Sequence, residues 1–227
     1  MKFRPDENGN IISNILVKVQ SMEHLKEFQQ GHLYMKNLKF FCDAEKNGVG
    51  DEEEGLVGCF SSGKLLIDDI VVADVGEITI RTYEKAPIMC FIDISLVKIE
   101  QGRYRFIIPK KAIDEFADEE DVEYGLMFIN RQVFHERVVD ALNKLDIGYK
   151  CGKVKYSDEP FLPKKDELYK AAFHKRKLFE HQNEYRFLID TEVEDNFTLE
   201  IGDISDFTII APIKEHHDIP IEVRTND

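Results

Sequence analysis

The chain has 227 residues, of which 43% are apolar and 33% are charged, and its formal net charge is -14. Apolar side chains recur along the whole length, so we expect a globular protein with a sizeable core, folded as one domain over residues 1–227. The negative charge opposes non-specific binding to nucleic acid or to an anionic membrane surface, because both normally require a net basic face.

The terminal segment and the cysteines both favour a soluble cytoplasmic protein. Residues 1–10 carry charges with no apolar run behind them, so no signal peptide is expected. The apolar stretch at residues 87–97 is too short and too polar to span a bilayer. The four cysteines are widely spaced without a CxxC pair, which is typical of reduced core thiols. They are Cys42, Cys59, Cys90 and Cys151.

The N-terminal quarter predicts alternating strands and short helices. Residues 11–19 alternate apolar and polar side chains and predict a strand, and residues 22–30 predict a helix. A strand is expected over 32–36, followed by a helix or irregular segment over 38–46. Within that strand, His32 and Tyr34 would share one face, which suits them to gripping a planar ligand.

A glycine-rich loop over residues 47–56 brings together four consecutive carboxylates. They are Asp51, Glu52, Glu53 and Glu54. Mutual repulsion predicts a solvated loop, which could also bind a basic partner. The run lacks the Asp-x-Asn/Asp spacing of a calcium loop. A second acidic run is expected on the surface and comprises Asp118, Glu119, Glu120 and Asp121.

The rest of the chain predicts an α+β fold with a mainly antiparallel, strand-rich mixed sheet and several helices. Between residues 56 and 108 strands are expected over 56–62, 64–72, 77–83, 87–97 and 103–108, and they follow one another too closely for parallel crossovers. Further strands are expected over 122–129, 149–156, 197–201, 207–211 and 219–223. Helices are expected over 110–117, 131–145 and 164–179. The apolar stripe of the helix over 131–145 predicts a core of Phe134, Val138, Leu142 and Leu145.

The stretch over residues 175–190, KRKLFEHQNEYRFLID, contains the main candidate site residues. Residues alternate from Glu184 onward, so Glu184 and Arg186 would share a face. If the strand begins at Gln182, then Gln182 and Glu184 would lie side by side, as a catalytic pair requires. Lys175 would lie near a helix C-terminus, where positive charge complements the macrodipole. Alternatively, these charges form the solvated face of an edge strand.

The remaining chemical signals are weak. No phosphate loop, Rossmann fingerprint, nucleophile elbow or metalloprotease helix occurs. Ser61 and Ser62 follow an apolar strand, where a hydroxyl could position a ligand or simply form a turn. His216 and His217 are adjacent and would point to opposite faces of a strand, so no metal site is predicted.

Two blocks of the sequence resemble an uncharacterised bacterial and phage family. The first, over residues 31–56, joins a short strand and aromatic residues to Gly-Asp and Glu-Gly. The second, over 154–160 and 175–189, joins a lysine and an aromatic residue to a Glu-x-Glu-Tyr-Arg pattern, with Gln182 in place of the first Glu. This resemblance implies a role in conflict between phage and host but assigns no chemistry.

The second block also resembles the acidic motif of ADP-ribosyltransferases, in which Glu-x-Glu or Gln-x-Glu precedes a strand of a split NAD-binding sheet. Here the motif is Gln182-Asn183-Glu184. The resemblance implies that Glu184 bonds the nicotinamide ribose hydroxyl and stabilises an oxocarbenium-like transition state, while Gln182 orients the nucleophile. NAD is then the implied cofactor.

The resemblance leaves two schemes open for holding NAD. One uses His32 and Tyr34, and the other uses Ser61 and Ser62, with Lys175 and Arg186 as further cofactor-binding residues in either scheme.

Three hypotheses about function therefore remain. The first is an NAD-using ADP-ribosyltransferase or NAD glycohydrolase that depends on Glu184. The second is a non-catalytic acidic protein that binds or inhibits a basic partner protein through its carboxylate runs. The third, a nuclease or nucleotide-binding enzyme, lacks convincing paired metal carboxylates.

Overall fold

The computed structural model describes residues 15–43, 50–60, 62–67, 70–76, 78–94, 96–100, 103–106, 108–117, 123–159, 164–213 and 221–224. The α-helices are α1 (Met22–Gln29), α2 (Leu38–Asp43), α3 (Lys110–Ala117) and α4 (Arg131–Lys144). The described residues also contain 3-10 helices at Lys165–Phe173, Lys177–Gln182 and Ser205–Phe207.

The strands are β1 (Ile15–Ser21), β2 (His32–Asn37), β3 (Leu56–Phe60), β4 (Gly63–Ile67), β5 (Ile70–Val75), β6 (Ile78–Arg81), β7 (Pro87–Ile94), β8 (Leu96–Glu100), β9 (Arg103–Phe106), β10 (Tyr124–Asn130), β11 (Gly148–Lys153), β12 (Lys155–Tyr156), β13 (His174–Lys175), β14 (Glu184–Asp190), β15 (Asn196–Glu200), β16 (Thr208–Pro212) and β17 (Ile221–Arg224).

A large antiparallel sheet organises these elements. Its main path runs β11-β14-β7-β1-β10-β16, while β2 pairs with both β7 and β15. Smaller sheets join β3 to β6, β4 to β5, and β8 and β17 to β9, and β12 pairs with β13 in parallel. The expectation of an α+β fold with a mainly antiparallel, strand-rich sheet is therefore confirmed.

The sheet forks along one edge of β7. On that edge β1 pairs with the C-terminal half of β7, with Val17 opposite Ile92. The other half pairs with β2, with Lys36 opposite Ile88. Strand β14 pairs with the opposite edge of β7 from Ile88 to Ile92. Because β1 and β2 diverge, no strand of the described residues pairs with the first edge at residues 89–91.

Apolar side chains are buried on both faces of the sheet. One face carries the largest cluster, in which Phe134 of α4 contacts Phe28, Phe91 and Phe187 at ring-centroid distances of 5.3–6.0 Å. On the other face, α3 covers one apolar cluster, and the 3-10 segment Lys165–Phe173 covers another. Alternation in β14 places Phe187 on the first face and Leu188 on the second.

Local signals explain why the helices begin and end where they do. Asn130 caps α4, because its side-chain oxygen accepts from the backbone N–H groups of Gln132 and Val133. Gly31 ends α1 with a φ of +97°, and a Cβ there would lie 2.2 Å from the carbonyl oxygen of Gly202. Only glycine meets both requirements.

Three sequence predictions are corrected. Leu145 is 55% exposed, because α4 ends at Lys144 and the chain turns away from the stripe. The helix expected over 164–179 is instead two 3-10 segments separated by β13, whose pairing with β12 extends the backbone. The single strand read over residues 64–72 is the hairpin β4–β5.

The parts of the predicted elements that fall on residues 11–14 and 44–49 lie outside the described residues. None of the helices in the described part of the chain combines the length and hydropathy needed to cross a bilayer.

Candidate functional site

A cavity of about 390 Å³ lies at the fork of the sheet. Strands β1, β2, β7 and β14 contribute its walls, together with α2, α3 and the segment that contains Lys175. Its aromatic residues are Tyr34, Phe40, Phe41, Phe91 and Tyr124. Its charged residues are Lys18, Lys36, Glu54, Glu115, Lys175, Glu184 and Arg186. A concave site with aromatic walls and a few convergent polar groups is typical of a ligand-binding pocket.

Four of these charged residues form a buried ion quartet: Glu54, Lys175, Glu184 and Arg186. The Glu184 carboxylate accepts from Lys175 Nζ at 2.6 Å and from Arg186 Nε at 2.8 Å. Glu54 accepts from Arg186 through both of its oxygens, at 2.9 and 3.3 Å, and lies 3.1 Å from Lys175 Nζ. Two carboxylates and two cations therefore neutralise each other away from water.

The strand position of Glu184 and Arg186 corrects the edge-strand interpretation. Both residues lie on β14, which pairs with β7 on one side and β11 on the other, so β14 is internal. Glu184 and Arg186 share a face as expected, but that face is buried, and Arg186 is only 1% exposed. Its guanidinium also donates to the carbonyl oxygen of Ala172 at 2.8 Å.

Gln182 and Glu184 meet through Lys175 rather than through strand alternation. Gln182 ends a 3-10 segment, and β14 begins only at Glu184. Between them, Asn183 adopts a left-handed conformation with φ 42° and ψ 52°, which asparagine tolerates better than most residues. Lys175 Nζ donates to Gln182 Oε1 at 2.7 Å as well as to Glu184. The two predicted catalytic residues thus share one buried lysine.

Gln182 is fixed at its other end by α3. Its amide nitrogen donates to Glu115 Oε2 at 3.0 Å, and the other oxygen of Glu115 contacts the His181 ring. Because both ends of the amide are bonded, its orientation is set. If Gln182 were an ionised glutamate, two carboxylates would face each other, and neither could donate the hydrogen bond that Gln182 gives to Glu115.

The acidic loop is partly internal. Asp51 is 0% exposed and Glu54 is 1% exposed, whereas Glu52 and Glu53 are exposed. Asp51 accepts from Arg176 Nε at 2.8 Å and from the Arg176 backbone N–H at 2.9 Å. The expectation of a solvated run is therefore wrong for Asp51 and Glu54, because three cations of the C-terminal block hold them inside.

Close backbone packing fixes the position of this loop. A Cβ on Gly50 would lie 1.6 Å from the carbonyl oxygen of Phe41, so a larger residue cannot replace it without moving the chain. The contacts of Asp51 with Arg176 and of Glu54 with Arg186 then join this loop to residues more than a hundred positions away in the chain.

Contacts within the quartet keep Glu184 and Lys175 ionised. Burial opposes ionisation of Glu184, but Arg186 and Lys175 outweigh it and hold the pKa of this carboxyl well below its ordinary value of 4.5. Burial likewise opposes protonation of Lys175, yet Glu184 and Glu54 raise its pKa above 10.5. Glu184 and Lys175 are therefore both charged near neutral pH.

The other candidate ligand-binding residues are scattered. Tyr34 is 46% exposed and lines the cavity, whereas His32 pairs with Glu200 across the neighbouring strand, at 2.7 Å, and does not line it. Ser62 is exposed at a bend and is likewise not among the lining residues. Ser61, the acidic run Asp118 to Asp121, and His216 and His217 lie outside the described residues.

Sequence reasoning missed several residues of the site. Lys18 of β1 lines the cavity, although in the sequence it reads only as the polar member of an alternating strand. Tyr156 accepts the backbone N–H of Glu184 at 2.8 Å, and burial raises the pKa of its hydroxyl well above 10. Cys90 also lines the cavity, but burial raises the pKa of its thiol to about 12, so it is a poor nucleophile.

Comparisons with other proteins identify no relative. No protein-family model, curated protein or solved structure matches the chain. Within the described residues, no cluster of histidine, cysteine, aspartate and glutamate is arranged to hold a metal ion.

The lowered pKa of Glu184 predicts a specific acid dependence of stability. As the pH falls below about 4.5, Glu184 takes up a proton in the unfolded chain before it does so in the folded chain, so the free energy of unfolding falls. In Glu184→Gln this contribution is absent. The free energy of unfolding should therefore fall less steeply between about pH 6 and pH 3, by up to about 1.4 kcal/mol per pH unit. Urea unfolding at several pH values measures both slopes.

The exposed Glu52 supplies the matched control. Glu52→Gln removes a carboxylate from the same chain without touching the quartet, so its slope should equal that of the wild type. Equal slopes for the wild type and Glu184→Gln would show that the quartet does not hold Glu184 ionised.

Proposed function

We propose that the protein is an NAD-consuming enzyme of the ADP-ribosyltransferase or NAD glycohydrolase type, with Glu184 as its essential carboxylate. The observation that carries this proposal is that Glu184 and Gln182 line one cavity at the fork of the sheet. Because ADP-ribosyltransferases bind NAD at a split sheet beside a Glu-x-Glu or Gln-x-Glu motif, the fork supports an ADP-ribosyltransferase-like architecture.

The lining residues suit a dinucleotide. Tyr34 and Phe40 are 46% and 45% exposed, so their rings are available to stack on a planar base. Lys18 and Lys36 bring positive charge to opposite sides of the fork. The cavity volume of about 390 Å³ lies within the range of small-molecule sites.

The chemistry assigned to this site is cleavage of the bond between nicotinamide and ribose. As that bond breaks, its electron pair leaves with nicotinamide and positive charge develops on the ribose. The ionised Glu184 carboxylate stabilises this charge and accepts a ribose hydroxyl. Lys175 and Arg186 each use one lone pair of Glu184, and each of its oxygens retains another. Water, or a hydroxyl or amine of an acceptor, then bonds to the ribose carbon and releases its proton to solvent.

The direct test follows nicotinamide release from NAD by the purified protein, with and without cell lysate. Glu184→Gln should lower the rate by about a hundredfold or more, because the carboxylate acts mainly in the transition state. Release without lysate identifies a glycohydrolase, and release that requires lysate identifies a transferase.

Because Glu184 belongs to the quartet, the test needs a variant that loses a buried carboxylate elsewhere. Asp51→Asn removes a fully buried carboxylate that bonds Arg176 but does not line the cavity. It should lower the melting temperature yet retain turnover per folded molecule. Absence of release in both conditions, or equal release by Glu184→Gln and the wild type, would refute the enzymatic proposal.

A second candidate function is a non-catalytic protein that binds a basic partner in conflict between phage and host. The observation that favours it is the exposure of Glu52 and Glu53 in a chain of net charge -14. Reversing both charges to lysine should weaken capture of that partner from lysate and flatten its dependence on salt. Unchanged capture at low and high salt would exclude this surface. A cytoplasmic location suits either function.

A further inference from the structure

Lys18 extends into the gap where the sheet forks. Its neighbours Leu16 and Val17 belong to the apolar clusters on opposite faces of the sheet. Lys18 Nζ lies 5.4 Å from the centre of the Phe91 ring and donates to the carbonyl oxygen of Cys90 at 3.0 Å. Cys90 lies within the part of β7 where this edge has no strand partner. The ammonium group thus occupies the gap and lines the cavity.

Lys18 differs from the other cations of the cavity in its partners. Lys175 and Arg186 are neutralised within the quartet, and Lys36 forms an ion pair with Asp195 at 2.6 Å. Among the described residues, no carboxylate forms an ion pair with Lys18. Burial lowers its pKa, and the more distant Glu184 only partly opposes that effect.

Lys18 is therefore the cation of the cavity wall that has no direct ionic partner among the described residues. The carboxylate of the wall outside the quartet, Glu115, contacts His181 and Gln182 rather than Lys18. An ammonium group has three N–H donors, and the Cys90 carbonyl oxygen takes one of them. The remaining donors and the uncompensated charge favour an anion, because an unpaired charge in a partly enclosed site lacks full hydration.

We propose that Lys18 binds a phosphate group of the ligand at the fork of the sheet. The inference rests on the proposed function in one respect, that the cavity is where the nucleotide binds, and it does not require Glu184 to be catalytic. The aromatic residues Tyr34 and Phe40, which line the same cavity, suit a ligand that joins a phosphate to a planar base. The ligand class is therefore a nucleotide rather than a free nucleoside.

Calorimetric titration with ADP-ribose, pyrophosphate and adenosine tests this assignment. The wild type should bind ADP-ribose, and Lys18→Met should weaken that affinity by about tenfold or more, since a charge-assisted hydrogen bond is lost. Adenosine has no phosphate, so its affinity should be the same in both proteins. Pyrophosphate should raise the melting temperature of the wild type and not that of Lys18→Met.

Two further variants separate a binding role from a structural one. Lys18→Arg keeps the positive charge and should retain ADP-ribose binding. At the alkaline pH where Lys18 of the wild type loses its proton, the affinity of Lys18→Arg for ADP-ribose should not fall. Lys26→Met removes an exposed lysine of α1 and should change nothing. Circular dichroism checks that Lys18→Met is folded, which is expected because it removes a poorly paired charge.

The outcomes separate this inference from the proposed function. If NAD is cleaved with the same KM by the wild type and Lys18→Met, the phosphate assignment is wrong and the enzymatic proposal stands. If ADP-ribose and pyrophosphate bind in a manner that depends on Lys18 but NAD is not cleaved, the phosphate site stands and the enzymatic proposal fails. Affinity for ADP-ribose that is unchanged in Lys18→Met, or no binding by the wild type, overturns the inference.

Discussion

The buried quartet of Glu54, Lys175, Glu184 and Arg186 is the constraint on which the rest of the site depends. Removing four charges from water is costly, and the cost is offset only when every charge meets its partners in good geometry. Glu54 comes from the acidic loop, Lys175 from β13, and the other two from β14. All three segments must therefore reach their final positions together, which explains why the loop over residues 50–55 packs so closely against the C-terminal part of the chain.

The quartet also links stability to the proposed chemistry. Its members form part of the wall of the same cavity that Tyr34, Phe40 and Lys18 line, so a substitution that alters the ligand site also disturbs the interior. The fork creates that cavity because β1 and β2 leave β7 in different directions. Polar groups around these charges are bonded as well. Glu115 accepts from the Gln182 side chain, and Tyr156 accepts from the backbone N–H of Glu184. A site of this kind is rigid before any ligand arrives.

Local sequence signals predicted most of the elements but not the partners of the charged residues. Period-two alternation correctly predicted the shared face of Glu184 and Arg186, and the Asn130 cap correctly predicted the start of α4. The buried positions of Asp51 and Glu54 could not be read from a run of four carboxylates, because their cationic partners lie more than a hundred residues away. Lys175 was misassigned to a helix end for the same reason: its environment comes from tertiary contacts.

The most direct test of the account is a double-mutant cycle between Glu54 and Arg186, measured by urea unfolding. Glu54→Gln and Arg186→Met each leave a buried charge without its partner, so each should destabilise the protein by about 3–5 kcal/mol. The double variant should be more stable than the sum of the two losses predicts, with a coupling of about 2 kcal/mol or more. A cycle of Glu52→Gln with Arg186→Met provides the reference and should be additive. Additivity within about 0.5 kcal/mol for Glu54 and Arg186 would contradict the claim that their buried contact joins the acidic loop to β14.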